Sequence, residues 1–421
     1  MIRLIEALNF RCLKYKKRTL QDFHVLVGPN ASGKTTFLDV VSFLGDLVSG
    51  GLEKAVYDRT RDLKDLIWLR KGESFELAIE LKIPDEKRNL LAKPAFDIVR
   101  YEVKIGIDPD TSENSILFEK VLLKETPYKG SKPAKPVQGL LPFPDEPNPP
   151  RTIATPKGKK KTQTIVNKLN NGNVNLYDET GEGFKLQYRL EPRKSALVNL
   201  LEDESKFPVS LWLKSIMMEG IQRLVLNSVL MREASPPGQP KRFRPDGSNL
   251  PWVVENLKAK HADRYNEWIE HLQTALPDLE GVKTIERPDD RHRYLVVCYK
   301  NNLEVPSWTA SDGTLRLLAL TLPAYLPELR GIYLIEEPEN GIHPRAVETM
   351  FQSLSSVYDA QILLATHSPV ILSVVDAHQV LCFSKTATGA TDIVSGDEHP
   401  ALRDWKGETN LGVLFVGGVL G

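Results

Sequence analysis

Apolar runs of strand length stand close to both ends of the 421-residue chain and are followed by segments of helical spacing. Residues 24–27, 332–335 and 361–365 are short, mostly apolar runs, which is typical of strands buried on both faces of a parallel sheet. Apolar residues then recur at helical spacing over 36–47 after the first run and over 346–358 after the second. The pattern predicts an α/β fold with a parallel sheet assembled from both ends of the chain.

Between these ends the pattern changes twice. Residues 75–83 and 98–107 alternate apolar and polar positions, as half-buried strands do. Residues 127–156 contain nine prolines, which cannot pair into a central sheet, and we interpret this stretch as an extended linker or insertion arm. Apolar stripes at helical spacing follow over 211–230 and 252–276. Since no heptad repeat continues for many turns, we expect a compact helical insertion instead of a long coiled coil.

These changes divide the chain into five predicted segments. A hairpin predicted over 282–299 returns the chain from the insertion to its second apolar end. The segments are an N-terminal lobe over 1–126, a Pro/Lys-rich linker over 127–165, a mainly helical insertion over 166–280, a C-terminal lobe over 281–385 and a tail over 386–421. The apolar, glycine-rich end of the tail, residues 411–421, is expected to pack on the lobe or on a partner.

The composition says more about the cellular compartment of the protein than about its activity. Basic and acidic residues balance at 55 each, so the whole chain has no field that attracts nucleic acid. Three separated cysteines and an N-terminus without signal-peptide character favour a cytoplasmic protein with no membrane partner. Lys157 and Lys159–Lys161 follow the proline-rich stretch, and we favour a solvated linker over a phosphate-binding patch there.

The most specific motif is a glycine-rich loop, Gly28-Pro-Asn-Ala-Ser-Gly-Lys-Thr35, placed between a predicted strand and a predicted helix. Gly28 and Gly33 allow the backbone amides to turn toward phosphate groups, and the helix N-terminus adds a positive partial charge. In such a loop Lys34 reaches the β- and γ-phosphates, and the hydroxyl group of Thr35 binds Mg²⁺. An ordinary glycine-rich turn is the alternative, and the correct flanking elements make it the weaker one.

Two carboxylates end the predicted strand over 332–335. In open α/β sheets ligands bind at the carboxyl ends of the strands, which is where Glu336 and Glu337 lie in the sequence. Glu336 would then support Mg²⁺, and Glu337 would act as the general base that polarises the attacking water. The alternative is a pair of exposed acidic residues with no function, because such residues are common after strands. This alternative is the weaker one, since a metal–triphosphate site needs a carboxylate pair and the other motifs do not supply it.

Two further motifs are weak when taken alone and are supported by their order in the chain. Ser311-Asp-Gly-Thr314 opens a predicted helix, where Ser311 is either a helix cap or part of an anion site. His367 follows the strand predicted over 361–365 and could hydrogen-bond a γ-phosphate. His343, before Pro344, suits the first turn of a helix instead.

The order of these four motifs resembles that of ABC ATPases. Leu8-Asn-Phe-Arg11, Ser311-Asp-Gly-Thr314, Ile335-Glu-Glu-Pro-Glu-Asn340 and Ala365-Thr-His-Ser-Pro369 are similar to the branch that contains SMC and RecF proteins and especially the OLD-family ATPases, with their anti-phage relatives. The resemblance covers about residues 1–105 and 245–385. It implies a two-lobed P-loop ATPase head with a helical insertion and a Pro-rich linker.

The resemblance also implies a head-to-tail dimer in which ATP lies between two protomers. Lys34, Glu337 and His367 would then be catalytic, and Thr35 and Glu336 would hold Mg²⁺. Ser311 and Gly313 would act on the nucleotide of the other protomer. The residues assigned to the nucleotide are Gly28, Pro29, Asn30, Ala31, Ser32, Gly33, Lys34, Thr35, Thr36, Ser311 and Gly313.

Two features depart from the ABC pattern. The first acidic position is usually Asp in the wider class and is Glu336 here. The glutamine usually placed between the lobes has no obvious match, because no Gln occurs between Gln21 and Gln138. These departures leave metal coupling to the γ-phosphate less well supported than nucleotide binding.

Three functions stay open. OLD-family proteins usually carry a TOPRIM nuclease after the switch histidine, and no second acidic cluster follows His367 here. The leading hypothesis is therefore an ATPase subunit of an anti-phage defence system that controls a separate, nuclease-like effector. A RecF-like ATPase for DNA repair or loading is the second, which leaves nucleic acid open as a partner. An ATP-gated dimerisation scaffold with little turnover is the third.

Overall fold

Two large β-sheets enclose one long helix in the computed structural model, which describes residues 1–126, 148–240, 242–327 and 329–399. The strands of the described residues are β1 (Ile2–Phe10), β2 (Leu13–Thr19), β3 (Phe23–Val27), β4 (Ser74–Lys82), β5 (Ile98–Ile107), β6 (Asn114–Lys124), β7 (Thr162–Leu169), β8 (Asn173–Tyr177), β9 (Lys185–Arg189), β10 (Ile221–Leu224), β11 (Leu279–Glu286), β12 (Arg293–Tyr299), β13 (Leu303–Pro306), β14 (Gly331–Glu336), β15 (Ala360–Ala365), β16 (Val380–Lys385) and β17 (Thr391–Ser395).

Helices lie between and outside the sheets. Those of the described residues are α1 (Lys34–Tyr57), α2 (Asp85–Arg88), α3 (Pro208–Ser215), α4 (Ser228–Arg232), α5 (Leu250–Lys260), α6 (Ala262–Ala275), α7 (Asp312–Thr321), α8 (Pro344–Ser355) and α9 (Pro369–Val374). A single π-helical turn, Ile216–Gly220, connects α3 to β10.

The first sheet is antiparallel and has the order β2-β1-β4-β5-β6-β7-β8-β9. The second has the order β10-β14-β15-β3-β16-β17, and all its neighbours are parallel except β16 and β17. A smaller antiparallel sheet contains β11, β12 and β13. The parallel strands β3, β14 and β15 therefore end at one edge of the second sheet, as the apolar runs predict.

The second sheet is buried on both faces because its residues alternate between two cores. Leu334 and Leu363 face α1 and the first sheet, while Tyr333 and Leu364 face the core that contains α5 to α9. By length and composition α1 could cross a membrane, but most of its apolar residues are buried between the two sheets. We interpret it as the core helix of this layer.

The prediction of a mainly helical insertion over 166–280 is wrong for its first part. Strands β7, β8 and β9 extend the first sheet there, with Val174 and Leu176 buried at alternate positions of β8. Strands β8 and β9, with five residues each, are too short to stand out against a helical window. The single stripe over 211–230 is divided among α3, the π-helical turn, β10 and α4, and the stripe over 252–276 is two helices, α5 and α6.

Part of the predicted linker docks on the first sheet. Residues 127–147 lie outside the described residues, and the strand β7 begins inside the linker range at Thr162. Before it, Thr152 donates to the buried carboxylate of Glu76, and the backbone amide of Thr155 donates to Glu102. The lysines at 157 and 159–161 are exposed, which both a solvated linker and a phosphate-binding patch require.

The predicted tail also contains part of the fold. Strand β17, from Thr391 to Ser395, pairs with β16 and closes one edge of the second sheet. The boundary at residue 386 is therefore wrong, since residues of the tail complete a sheet of the C-terminal lobe. The expectation for 411–421 falls on residues outside those that the structure describes.

Candidate functional site

The glycine-rich loop connects β3 to α1 and has the backbone that only its glycines tolerate easily. Gly28 has φ of 147° and Gly33 has φ of 106°. A Cβ atom at Gly28 would lie 2.2 Å from the carbonyl oxygen of Phe383, and one at Gly33 would lie 2.2 Å from Oγ1 of Thr391. No side chain caps the N-terminus of α1, so its first amides remain available to an anion.

Lys34 folds back over this loop. Its Nζ donates to the carbonyl oxygens of Gly28 at 2.7 Å and Pro29 at 3.0 Å. Burial lowers the pKa of Lys34 to about 8, and the carboxylates of Glu337 and Glu336 oppose this shift. An ammonium group with reduced hydration is suited to bind a polyanion.

The loop is braced from behind by β17. Oγ1 of Thr391 donates to the carbonyl oxygen of Ser32 at 2.8 Å, and the Thr391 amide donates to Cys12 at 2.9 Å. These bonds connect the loop to the turn between β1 and β2 as well as to the far edge of the second sheet. Thr391 thus links the loop both to the turn between β1 and β2 and to β17.

Glu336 ends β14 next to the start of α1. Its Oε2 accepts a hydrogen bond from the hydroxyl group of Thr35 at 2.5 Å. Its Oε1 lies 2.7 Å from Nη2 of Arg223, which comes from the neighbouring strand β10. The two residues predicted to hold Mg²⁺ are therefore in contact, with an arginine as a third member of the group.

Glu337 has an unusual backbone conformation. Its φ of 47° lies in the left-handed region, which costs a residue other than glycine about 1–3 kcal/mol and occurs often at functional sites. Its amide donates to Ala365 at 2.8 Å, and Nδ2 of Asn340 donates to its Oε2 at 2.6 Å. The side chain is exposed at the edge where β14 and β15 end.

His367 lies close to the same group. Burial and then the charge of Lys34 lower the pKa of His367, while Glu337 and Glu339 oppose this shift. Glu339 positions the histidine, because its Oε1 accepts from the His367 amide at 2.9 Å and from the hydroxyl group of Thr366 at 2.6 Å. The lowered pKa favours the neutral imidazole at neutral pH.

The donor set fits a triphosphate with Mg²⁺. Magnesium usually binds one or two carboxylates together with phosphate oxygens, and Thr35 with Glu336 supplies such a partial set. No cluster of three or more His, Cys, Asp or Glu side chains that could hold a metal alone occurs in the described parts of the chain. The buried Oγ of Ser32 has no hydrogen-bond partner, and it lies in the loop that would surround the phosphates.

Ser311 and Gly313 lie at the start of α7. Ser311 caps this helix by accepting from the Thr314 amide at 3.1 Å, and its side chain is exposed. A Cβ atom at Gly313 would lie 2.6 Å from the carbonyl oxygen of Gly341. Among the hydrogen bonds of the described residues, none connects Ser311 to the glycine-rich loop of the same chain.

A glutamine lies on the strand next to the acidic pair, outside the range between Gln21 and Gln138. The strand beside β14 is β10, which comes after the insertion and lies well beyond Gln138. Gln222 is on this strand, but its side chain accepts from the guanidinium group of Arg242 instead. Arg223 is the residue of β10 that reaches Glu336.

Several contributors were not found from the sequence. Arg223 carries no motif, and Thr391 lies in a segment predicted to be a tail. Glu339 lies in the acidic motif 335–340, in which the sequence pointed to functions only for Glu336 and Glu337. Arg11, from the quoted Leu-Asn-Phe-Arg motif, pairs with Asp39 of α1 at 3.0 Å next to Thr35.

The sequence matches a known protein family over most of its length. Residues 23–373 match the model of a family described as "AAA domain, putative AbiEii toxin, Type IV TA system". The chain belongs to this AAA-domain family. The match includes β3, the glycine-rich loop, the insertion and the switch loop with His367. Among curated proteins the sequence has no significant match.

Solved structures show which fold this family member has. An Smc head bound to the C-terminal winged-helix domain of ScpA matches with a TM-score of 0.54 and 14% identity, over 94% of this chain and 97% of that chain. An Smc head with an extended coiled coil from Pyrococcus furiosus, bound to the C-terminal domain of ScpA, gives 0.52 and 12%, over 94% and 96%. The AAA-domain protein therefore has the fold of an SMC-type ABC ATPase head, a two-lobed P-loop fold.

Proposed function

We propose that this AAA-domain protein binds ATP with Mg²⁺ and hydrolyses it. The observation that carries the proposal is the convergence of Lys34, Thr35 and the pair Glu336/Glu337 at the edge where β3 and β14 end. The loop from Gly28 to Thr36 would surround the phosphates with backbone amides. Thr35 and Glu336 would hold Mg²⁺, which neutralises charge on the phosphates when bound.

Two further side chains would act on the reacting groups. The exposed carboxylate of Glu337 is available to accept a proton from water, as a general base must. The amide of Asn340 already holds one of its oxygens in place. His367, near Lys34 and Glu337, would donate a hydrogen bond to the terminal phosphate through its neutral imidazole.

The ATP-bound state is a dimer in this proposal. Ser311 and Gly313 start the exposed end of α7, where free amides and a hydroxyl group can bind an anion supplied by a second copy of the chain. The close approach of Gly313 to Gly341 places this helix start beside the segment that follows the acidic pair. Two head-to-tail copies would then bury two nucleotides, as the resemblance to ABC ATPases implies.

The biological role we propose is control of a separate toxic effector in anti-phage defence. The family description itself names a putative toxin of a toxin–antitoxin system. Both Smc heads were solved with a domain of a second protein, ScpA, bound to them. A head that changes its oligomeric state with ATP could pass that change to a bound partner.

Affinity capture from the native host tests this role. Tagged Glu337→Gln protein in ATP and Mg²⁺ should recover a second polypeptide at fixed stoichiometry, and that polypeptide should be toxic when expressed alone. The Lys34→Ala variant, which lacks nucleotide, should recover much less of it. Recovery of repair or replication proteins with DNA would instead support a RecF-like function, and recovery of the same partner by both variants would contradict control by ATP.

A further inference from the structure

Arg223 forms an ion pair with Glu336, the carboxylate that would bind the metal in the proposed site. Nη2 of Arg223 lies 2.7 Å from Oε1 of Glu336, while the hydroxyl group of Thr35 takes Oε2 at 2.5 Å. Arg223 and Thr35 thus engage both oxygens of Glu336. A guanidinium group and a divalent cation cannot bind the same carboxylate oxygen at full strength, because both require the same lone pairs and would repel each other.

The sheet fixes the backbone of Arg223, whereas its side chain is half exposed and is not held by surrounding packing. Strand β10 pairs in parallel with β14, with Arg223 opposite Leu334, two residues before Glu336. The arginine side chain is 51% exposed and that of Glu336 is 24% exposed. Ion pairs with this exposure contribute little to stability and exchange readily with solvent.

The space around the pair can receive the displaced guanidinium group. A solvent-open cavity of about 560 Å³ adjoins Thr35 and is lined by Arg223 and by Asp39, Asp46 and Asp58. Two of these acids already have cationic partners, since Arg59 pairs with Asp39 and Asp46. Asp58, which precedes Arg59 in the chain, is a third carboxylate at the wall of the cavity.

We propose that Arg223 competes with the divalent cation for Glu336 and holds this carboxylate in place until the metal–nucleotide complex binds. The inference rests on the proposed nucleotide site and deepens it by naming a residue that regulates its metal. Metal binding must break the Arg223–Glu336 pair, so the free energy of that pair is subtracted from the metal affinity. Loss of the pair should therefore tighten metal binding, whereas loss of a metal ligand would weaken it.

The same competition makes a prediction about the conservative variant. Lysine keeps the charge but loses the planar fork that contacts the carboxylate from a fixed direction. The Arg223→Lys variant should therefore lie between the wild type and the Arg223→Ala variant. The Glu336→Gln variant should lose most of the metal binding, since it removes the charge for which both cations compete.

Titration with Mn²⁺, followed by the loss of its free electron paramagnetic resonance signal, measures this directly without turnover. In Arg223→Ala the half-saturating Mn²⁺ concentration should fall about two- to five-fold, the range expected for release of a partly exposed ion pair. Arg193→Ala is the matched control, because Arg193 forms similar surface pairs with Glu53 and Glu113 and should leave the titration unchanged.

The outcomes separate this inference from the proposed function. A half-saturating concentration in Arg223→Ala that equals or exceeds that of the wild type would overturn the competition. If neither the wild type nor any variant binds Mn²⁺ in the presence of ADP or ATP, the nucleotide–metal site itself is contradicted. Intact folding of each variant is checked by its thermal unfolding, which loss of a half-exposed arginine should barely change.

Discussion

At the scale of single residues, the site combines strain with reduced hydration. Glu337 keeps a left-handed backbone, and Lys34 is buried against the carbonyl oxygens of its own loop. Neither feature contributes obvious stability, since the first costs conformational energy and the second removes water from a charge. Both become understandable if the chain is organised to receive a polyphosphate and a water molecule.

Lys34 gives a pH-dependent prediction. Its pKa of about 8 in the nucleotide-free chain means that it is partly neutral at that pH, whereas a bound triphosphate would stabilise the charged form. Nucleotide binding at pH 8 should therefore take up about half a proton per chain, and much less near pH 6.5. Calorimetry in buffers of different ionisation enthalpy measures this uptake.

The Lys34→Arg variant is the control for that measurement. Arginine stays charged at pH 8, so any nucleotide binding that the variant retains should proceed without this uptake. Lys34→Ala should lose nucleotide binding. Uptake that is absent in the wild type at pH 8, or unchanged in Lys34→Arg, would show that Lys34 does not titrate on binding.

Glu339 gives a second prediction at this scale. Its carboxylate fixes the loop that carries His367 by accepting from the backbone of His367 and the hydroxyl group of Thr366. Glu339→Ala should lower ATP turnover about 10- to 100-fold, as expected when the support of a functional side chain is lost. Nucleotide affinity should change little, because Glu339 does not line the loop around the phosphates.

Steady-state hydrolysis and equilibrium binding, measured on the same preparations, separate the two effects. Glu348→Gln is a suitable control, since Glu348 lies exposed on α8 and is bonded only to Gln352 among the described residues. Equal losses of binding and turnover in Glu339→Ala would show that the residue supports the fold of the site instead of the histidine.

At the scale of secondary-structure elements, the short helix α4 links β10, which carries Arg223, to the start of α7, which carries Ser311. After β10 the chain passes through Asn227, which caps α4, and α4 ends at Arg232. Arg232 then contacts the carboxylate of Asp312 at 2.5 Å and the carbonyl oxygen of Ala310 at 3.1 Å. These two contacts are made on either side of Ser311.

Removing this contact should affect assembly more than nucleotide binding. In Arg232→Ala the start of α7 loses its support, so ATP-dependent dimerisation should weaken while the affinity of a single chain for nucleotide stays the same. Sedimentation at several protein concentrations measures the first quantity, and nucleotide titration of dilute protein measures the second. Lys300→Ala removes a comparable surface pair, with Asp278, and should change neither.

Elements with a strong local pattern could be predicted from the sequence. The runs that became β3, β14 and β15 were each mostly apolar, and the alternation over 75–83 and 98–107 predicted β4 and β5. The strands β8 and β9 and the edge strand β17 were missed because each has only five residues, too few to give a clear alternation of apolar and polar positions. Strand β10 was missed because its four residues lie inside an apparent helical stripe.

At the scale of the whole molecule, the two ends of the sequence form one sheet. The side chain of Gln361, fully buried on β15, bonds the backbone of Ile2 and of Gln21, and so joins the first sheet to the second. The loop and the acidic pair are brought together by such long-range pairing. Motif order could predict that they meet, but not that Arg223 meets them, since no local pattern marks it.

If Glu337 activates water in an ATP-bound dimer, its replacement should trap that dimer with ATP bound. Light scattering of Glu337→Gln in ATP and Mg²⁺, with bound nucleotide quantified on the same sample, measures this. We expect twice the mass of one chain with one ATP retained per chain, and a return to the mass of one chain when Ser311→Arg is added. A single-chain mass with ATP bound, or hydrolysis as fast as that of the wild type, would contradict it.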